Sequence, residues 1–75
     1  MNDLGKTVRA RRLSLGLSQA ELAKRAGLSN GTISLIESGK HTPVLSTLSW
    51  IAEVLGMGLE LKVKELIEKD ASNQV

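Results

Sequence analysis

The residue types that usually carry covalent or metal chemistry are almost absent from this sequence. It has no cysteine and a single histidine, His41, so it can form neither a thiolate metal site nor a histidine cluster. No acid–base pair accompanies a candidate nucleophile, as an enzyme of the common hydrolytic classes would need. The sequence therefore argues against an enzyme, and it predicts no metal and no cofactor.

What remains is hydrogen-bonding chemistry, concentrated in one short stretch of small polar side chains. Residues 29–34 read Ser-Asn-Gly-Thr-Ile-Ser. Amide and hydroxyl groups of this kind can bond to the base edges and phosphates of a nucleic acid. Serine and threonine inside a helix are mildly unfavourable, which favours a role beyond helix stability, although a plain solvated surface is the alternative.

Charge is unevenly spread along a chain whose net charge is only +2. Residues 1–42 hold seven basic and three acidic side chains, a net charge of +4. Residues 43–75 hold three basic and five acidic side chains, a net charge of −2. The basic half suits a polyanionic partner, and an ordinarily solvated surface explains it equally well.

Short helices must position the polar stretch. In residues 4–15, Leu4, Val8 and Leu15 are spaced to share one face of a first helix, which Gly16 then ends. The next segment opens with Ser18 followed three residues later by a glutamate, the capping box that starts a helix.

The second helix is predicted to end at Gly27, and Ser29 is placed to cap a third helix that runs to about Glu37. Pro43 suits the first turn of a fourth helix over residues 44–55. The apolar face of that fourth helix is predicted to consist of Leu45, Leu48, Ile51, Ala52 and Leu55.

The C-terminal part of the sequence is ambiguous. Residues 58–64 alternate apolar and charged side chains with the period of a strand, whereas the wider segment 58–69 also fits a helix. This segment is a candidate for dimerisation, and residues 70–75 are predicted to be a flexible tail. The predicted fold class is therefore all-α, a bundle of four or five helices with a possible short C-terminal β-strand.

Residues 18–37 combine two short helices with a tight turn, which is the plan of a helix-turn-helix motif. The second helix of such a motif fits the major groove of duplex DNA and presents its N-terminal residues to base edges. The first helix crosses the phosphate backbone, where its free amide groups attract phosphate. We therefore expect double-stranded DNA to be the partner.

The sequence resembles the phage repressor and Cro type of helix-turn-helix domain. The resemblance covers residues 4–57 and is carried by Gly16-Leu17-Ser18-Gln19-Ala20-Glu21-Leu22-Ala23, Ala26-Gly27-Leu28-Ser29, Ile33-Ser34-Leu35-Ile36-Glu37-Ser38-Gly39-Lys40, Pro43, Leu48, Ile51-Ala52 and Leu55-Gly56. It implies a bundle of four or five helices that binds specific duplex sequences, often as a dimer.

The resemblance also implies a role for individual residues. The DNA-contacting residues that it implies are Ser18, Gln19, Ser29, Asn30, Gly31, Thr32, Ser34, Leu35, Lys40 and Thr42. Gln19 matches a glutamine that bonds a phosphate and can brace a side chain of the third helix. Lys40 and Thr42 fall in a loop that meets the DNA backbone. Arg12 and Glu37 match a structural ion pair between the first helix and the end of the third.

Two departures from the family pattern weaken the base-contacting surface. Gly31 has no side chain where other members have one, and Leu35 is apolar, suited either to a thymine methyl group or to packing. Asn30 is then the best direct contact, because asparagine can pair with adenine N6 and N7. Part of the specificity is expected to come from DNA shape.

Trp50, Val54 and Met57 form a second apolar stripe on the fourth helix, away from its predicted core face. We interpret this stripe as a self-association surface of a homodimer, since exposed apolar patches tend to mark partner sites. The alternative is that the C-terminal segment of the same chain folds over it.

The resulting functional prediction is a transcriptional regulator, a repressor that binds a two-fold operator as a homodimer. Two alternatives stay open: an antitoxin that binds DNA and a toxin, and a protein-interaction module that has lost DNA binding, which the bare Gly31 position favours. The sequence shows no membrane span and no signal peptide, so a cytoplasmic location is expected.

Overall fold

The computed structural model describes residues 3–58, which form four helices. These are α1 (Asp3–Ser14), α2 (Gln19–Ala26), α3 (Asn30–Glu37) and α4 (Leu45–Leu55). All four elements within residues 3–58 are helical, which confirms the all-α prediction. Apart from Gly58, the predicted C-terminal strand or helix and the predicted tail lie outside the described residues.

A single aliphatic core holds the four helices together. α3 packs against α1 and α2, and α4 also packs against α1 and α2. The largest side chains that are fully buried in the core are Leu4, Val8, Leu22, Ile33, Ile36, Leu48, Ile51 and Leu55. Removing each such side chain from water stabilises the fold by about 1.5–3 kcal/mol, so these contacts set the helix orientations.

The apolar face of α1 differs from the prediction at its end. Leu15 was expected on the buried face, but it is 44% exposed because α1 ends at Ser14 and the chain then reverses at Gly16, whose φ is 72°. Arg12, four residues after Val8, takes the next buried position on that face. The buried face of α1 therefore has the predicted helical period, but its last buried position is occupied by the charged Arg12 and not by Leu15.

The start of α4 also differs from the prediction. Pro43 is not in the first helical turn: it is fully buried ahead of the helix, and Val44 is the N-cap residue with extended φ and ψ of −68° and 161°. Leu45 was predicted on the core face but is 45% exposed. It is the first residue of α4, and that end of the helix lies outside the core. The other four residues of the predicted face are buried.

Two contacts of α1 were not evident from the sequence. Gly5 lies where α1 crosses the end of α3, so close that a Cβ atom there would be 2.4 Å from the carbonyl oxygen of Ile36. The Nε atom of Arg11 donates to the carbonyl oxygen of Leu55 at 2.9 Å, which satisfies a free carbonyl at the C-terminus of α4.

Among residues 3–58, no helix is long and apolar enough to span a bilayer.

Candidate nucleic-acid interface

The N-terminus of α2 is fixed by the predicted capping box. The Ser18 Oγ atom accepts a hydrogen bond from the backbone N–H of Glu21 at 3.0 Å, and the Ser18 N–H donates to Glu21 Oε1 at 2.8 Å. The bond from the Ser18 backbone N–H, and after it a bond from the Ser18 hydroxyl, lower the pKa of the Glu21 carboxyl below its ordinary value. The cap makes Gln19 the first residue of α2, at the end where free amide groups attract anions.

A tight turn sets α3 at its angle to α2. Gly27 adopts a left-handed conformation with φ 72°, a region that glycine enters without steric strain. The N–H of Leu28 then donates to the carbonyl oxygen of Ala23 at 2.8 Å, which closes the end of α2. Helix, left-handed glycine and helix within residues 18–37 form the predicted helix-turn-helix.

Ser29 caps α3 and thereby fixes its exposed first turn. Its Oγ atom accepts from the Thr32 N–H at 3.1 Å and lies 2.8 Å from Thr32 Oγ1. These two hydroxyl groups are therefore engaged with each other. Asn30 and Gly31 follow the cap at the solvent-exposed start of the helix, and no residue in the range 3–58 bonds the Asn30 side chain.

One turn further along α3 lie Ser34 and Leu35, both exposed. Asn30 and Ser34 are four residues apart and so share one side of the helix, as do Gly31 and Leu35. Leu35 is 46% exposed, which leaves its side chain free to contact a ligand. The exposed side of α3 thus joins hydrogen-bonding groups to one apolar group.

Lys40 and Thr42 are exposed in the loop between α3 and α4. The Lys40 backbone N–H donates to the carbonyl oxygen of Leu35 at 2.9 Å, which holds the beginning of that loop against the end of α3. No side-chain hydrogen bond or ion pair within residues 3–58 ties Lys40 or Thr42 to α3.

Arg12 and Glu37 form a buried ion pair between α1 and α3. Arg12 Nε lies 2.7 Å from Glu37 Oε2, Arg12 Nη2 lies 2.9 Å from Glu37 Oε1, and Nη1 donates to the carbonyl oxygen of Leu17 at 2.8 Å. The hydrogen bond to Glu37 raises the pKa of the Arg12 guanidinium above its ordinary value. Both side chains are nearly inaccessible, at 7% and 2% exposure, so the pair excludes water at the contact of the two helices.

Gln19 connects the ion pair to the residues that are predicted to contact DNA. The Gln19 Nε2 atom donates to Glu37 Oε1 at 3.1 Å, so one carboxylate accepts hydrogen bonds from both α1 and α2. The residues at this junction line an open cleft of about 320 Å³: Arg9, Gln19, Ser34, Glu37 and Ser38. The structure therefore brings Gln19 and Ser34 together, although they are 15 positions apart in the sequence.

From the sequence, Arg9 belongs to a basic run with Lys6 and Arg11 that could contact phosphate, although an ordinarily solvated run is the favoured interpretation, and Ser38 has no assigned role. A signal for Arg9 was present, because it precedes Arg12 by three residues and residues at that spacing are neighbours on a helix. Ser38 lies four residues after Ser34, a spacing that likewise keeps it on the same side of α3.

The apolar stripe of α4 is only partly exposed. Trp50 is 51% exposed, whereas Val54 and Met57 are partly buried and pack against the core. We expected that the core would not cover this stripe. That expectation was wrong for Val54 and Met57, because both side chains pack against the hydrophobic core. Trp50 is the one member of the three that is open to solvent within residues 3–58.

Comparison with known proteins agrees with this architecture. A family model described as helix-turn-helix matches residues 8–62. An uncharacterized HTH-type transcriptional regulator from Methanothermobacter thermautotrophicus is 43% identical over 49 residues, which cover 65% of this chain and 71% of that protein. No solved structure matches the chain at a significant level.

Two further relatives come from Bacillus phage phi105. Its ImmF control region 10 kDa protein is 38% identical over 64 residues, covering 84% of this chain and 71% of that protein. Its immunity repressor protein is 36% identical over 62 residues, covering 83% of this chain and 43% of that protein. These relatives confirm the predicted resemblance to the phage repressor and Cro type. The chain therefore belongs to the helix-turn-helix family, as a DNA-binding regulator rather than an enzyme.

Proposed function

We propose that this protein is a transcriptional repressor that binds a two-fold DNA operator as a homodimer, with α3 in the major groove. The observation that carries the proposal is the exposed first turn of α3, which the Ser29 cap and the left-handed Gly27 hold in a fixed orientation. Fixed orientation matters because contacts to base edges need rigid donors and acceptors. The immunity repressor protein of Bacillus phage phi105 supports repression as the regulatory outcome.

Within α3, Asn30 is the main base contact, because its side-chain amide is exposed and makes no hydrogen bond within residues 3–58. A bidentate contact from Asn30 to adenine would discriminate against other bases by about 1–3 kcal/mol. Leu35 supplies an apolar contact suited to a thymine methyl group. Ser29 and Thr32 use their hydroxyl groups on each other, so they contribute less to base discrimination.

Phosphate contacts would position the protein on the duplex without adding sequence information. Gln19 and Ser18 lie at the N-terminus of α2, where the helix dipole favours an anion. Lys40 and Thr42 lie in the exposed loop after α3, on the flank of the same helix. We assign these four residues to the backbone on either side of the groove that α3 enters.

Dimerisation is proposed through Trp50, with Val54 and Met57 at the edge of the contact. A half-exposed tryptophan suits the centre of a protein interface, where aromatic side chains contribute most of the binding energy. Binding to a two-fold operator then requires the dimer to hold its two α3 helices about one DNA turn apart, roughly 34–36 Å.

The test is selection from a pool of random DNA duplexes with the full chain, at near-physiological salt because salt sets non-specific binding. A recovered motif with two-fold symmetry, and half-sites centred about 10 base pairs apart, is the expected result. Recovery of an asymmetric motif would refute binding as a two-fold homodimer. Recovery of no motif, with only weak salt-sensitive binding, would refute specific operator binding.

A matched pair of variants then assigns the base contact. Asn30→Ala is expected to relax selection at one position of each half-site, whereas Lys40→Ala is expected to weaken binding to all sequences alike. If Asn30→Ala leaves the selected motif unchanged at every position, then Asn30 does not contact a base.

A further inference from the structure

We propose that Asn30 is a site of spontaneous deamidation, in which the backbone nitrogen of Gly31 attacks the side-chain amide of Asn30. The reaction replaces the amide that is proposed to contact adenine with a carboxylate, so protein that is free of DNA loses affinity for its operator with time. The modification follows from the two residues themselves, whereas its consequence for DNA binding rests on the proposed function.

Asn30 is followed by glycine, the residue that hinders this attack least. The chain has three asparagines, and the other two, Asn2 and Asn73, precede Asp3 and Gln74. A side chain on the following residue crowds the nitrogen that must approach the amide carbon, whereas glycine has no Cβ atom. Asparagine is itself one of the thermolabile residue types. Among the three asparagines, Asn30 is therefore the one whose neighbour favours the reaction.

Both reacting groups are open to solvent at the start of α3. Asn30 and Gly31 are exposed, and no residue in the range 3–58 bonds the Asn30 side chain. The first N–H groups of a helix lack an intrahelical partner, and no carbonyl within residues 3–58 accepts from the Gly31 N–H. Neither the nitrogen nor the amide must therefore give up a hydrogen bond to another described residue before they react.

The reaction needs only water and hydroxide. The Gly31 nitrogen, after it loses its proton to hydroxide, forms a bond to the Asn30 Cγ atom, and the bond from Cγ to Nδ2 breaks. Nδ2 takes up a proton from water and leaves as ammonia, which regenerates hydroxide and leaves a cyclic succinimide. Water then opens the ring at either carbonyl. The products are aspartate and its isomer, in which the main chain runs through the former side-chain carbonyl.

Local opening at the start of α3 controls the rate. The ring cannot close at helical φ and ψ, so the Asn30 backbone must first leave its helical conformation. This opening breaks the bonds to Ser29, namely from the Thr32 N–H to its Oγ atom at 3.1 Å and from the Ile33 N–H to its carbonyl oxygen at 3.3 Å. Helix ends open more easily than helix interiors. An operator bound to α3 holds this turn closed and engages the Asn30 amide, so it protects the residue.

Peptide mapping by mass spectrometry measures the modification in the full chain. The protein is incubated at neutral and at mildly alkaline pH, with and without an excess of the duplex selected above, and is then cleaved after arginine and lysine. The fragment of residues 26–40 contains Asn30 and no other asparagine or glutamine, so the mass gain from exchange of NH for O identifies the site. The fragments that contain Asn2 and Asn73 are internal references.

Gly31→Ala is the matched control. Its new Cβ atom would lie 4.0 Å from Ser29 Oγ, so α3 keeps its geometry while the added methyl group crowds the attacking nitrogen. In the original chain we expect Asn30 to be modified faster than Asn2 and Asn73, and faster at the higher pH because the nitrogen attacks in its deprotonated form. In Gly31→Ala the reaction is expected to be severalfold slower. An Asn30 that reacts no faster than the other two asparagines, or equally fast in Gly31→Ala, would overturn the modification site.

The consequence for the operator is measured on the same samples. Loss of the amide is expected to raise the dissociation constant of the modified fraction by about 5- to 150-fold, the range that one bidentate base contact provides. Asn30→Asp reproduces one product and should show this loss before any incubation, and excess duplex should slow the reaction in the original chain. Modification without loss of affinity, or at the same rate in the bound protein, would overturn the link to the operator.

The two proposals fail in different ways. Absence of DNA binding by the freshly prepared original chain would overturn the proposed function, and the peptide map would still decide the modification. Tight, sequence-specific binding by a chain in which Asn30 stays intact would overturn the modification and leave the proposed function in place.

Discussion

At the scale of single residues, Glu37 connects three helices through hydrogen bonds of its one carboxylate. Its carboxylate accepts hydrogen bonds from Arg12 on α1 and Gln19 on α2, while its own backbone belongs to α3. The resemblance to known repressors implied the Arg12–Glu37 pair. The third partner, Gln19, was assigned only to phosphate and to bracing α3, and its bond to Glu37 itself emerged from the structure.

Removing only the Arg12 side of the ion pair is expected to destabilise the fold. Arg12→Met leaves the Glu37 carboxylate buried without a counter-charge, and it should lower the free energy of unfolding by about 3–5 kcal/mol. Urea denaturation followed by circular dichroism measures this loss. For a domain of this size such a loss is a large part of the total stability.

The matched control removes both charges. In Arg12→Met with Glu37→Leu no buried charge is left unpaired, so the double variant is expected to be more stable than Arg12→Met alone. If the two variants unfold at the same urea concentration, burial of an unpaired carboxylate is not what destabilises the single variant.

At the scale of the elements, local sequence signals placed the helices well. The capping box at Ser18, the helix end at Gly27 and the Ser29 cap were all predicted, because each depends on residues within three or four positions of the helix end. The start of α4 was predicted less well. Pro43 fits a first helical turn locally, yet burial of its ring moves the helix start to Leu45.

The crossing of α1 over α3 depends on Gly5. In Gly5→Ala the new Cβ would lie 2.4 Å from the carbonyl oxygen of Ile36 and 2.8 Å from that of Glu37, so α1 must move away. The free energy of unfolding is expected to fall by about 1–3 kcal/mol, as for other overpacked sites. Thermal unfolding monitored by circular dichroism gives the corresponding drop in Tm.

Gly31→Ala is the control for this prediction. The nearest atom to its new Cβ is the Ser29 Oγ atom at 4.0 Å, and the backbone there is helical, so no clash arises. Stability should stay the same or rise by up to about 1 kcal/mol, because alanine restricts the unfolded chain. A loss in Gly31→Ala as large as that in Gly5→Ala would contradict the close-approach explanation.

At the scale of the whole molecule, the proposed homodimer depends on the exposed side chain of Trp50. Trp50→Ala removes the exposed aromatic ring at the proposed dimer contact. Because a central aromatic side chain contributes about 2 kcal/mol or more, the dimer dissociation constant should rise at least tenfold. Sedimentation equilibrium of the full chain over a range of concentrations measures this constant.

Leu13→Ala serves as the comparison for Trp50→Ala. Leu13 is 53% exposed on α1, an apolar side chain of similar exposure on a different helix. It is expected to leave the dimer constant unchanged. Should Trp50→Ala behave like Leu13→Ala, the self-association surface does not include Trp50.

The sequence by itself determined the four helices, the caps of α2 and α3, the helix-turn-helix plan and most of the apolar side of each helix, because all of these depend on residues within one or two turns of each other. Only the tertiary structure decided which polar side chains meet. The rotation and crossing of α1, α2 and α3 bring Arg9, Gln19 and Ser34 around Glu37, and they leave Trp50 exposed while Val54 reaches the core. Helical periodicity indicates a face, but the close packing of neighbouring helices decides what that face contacts.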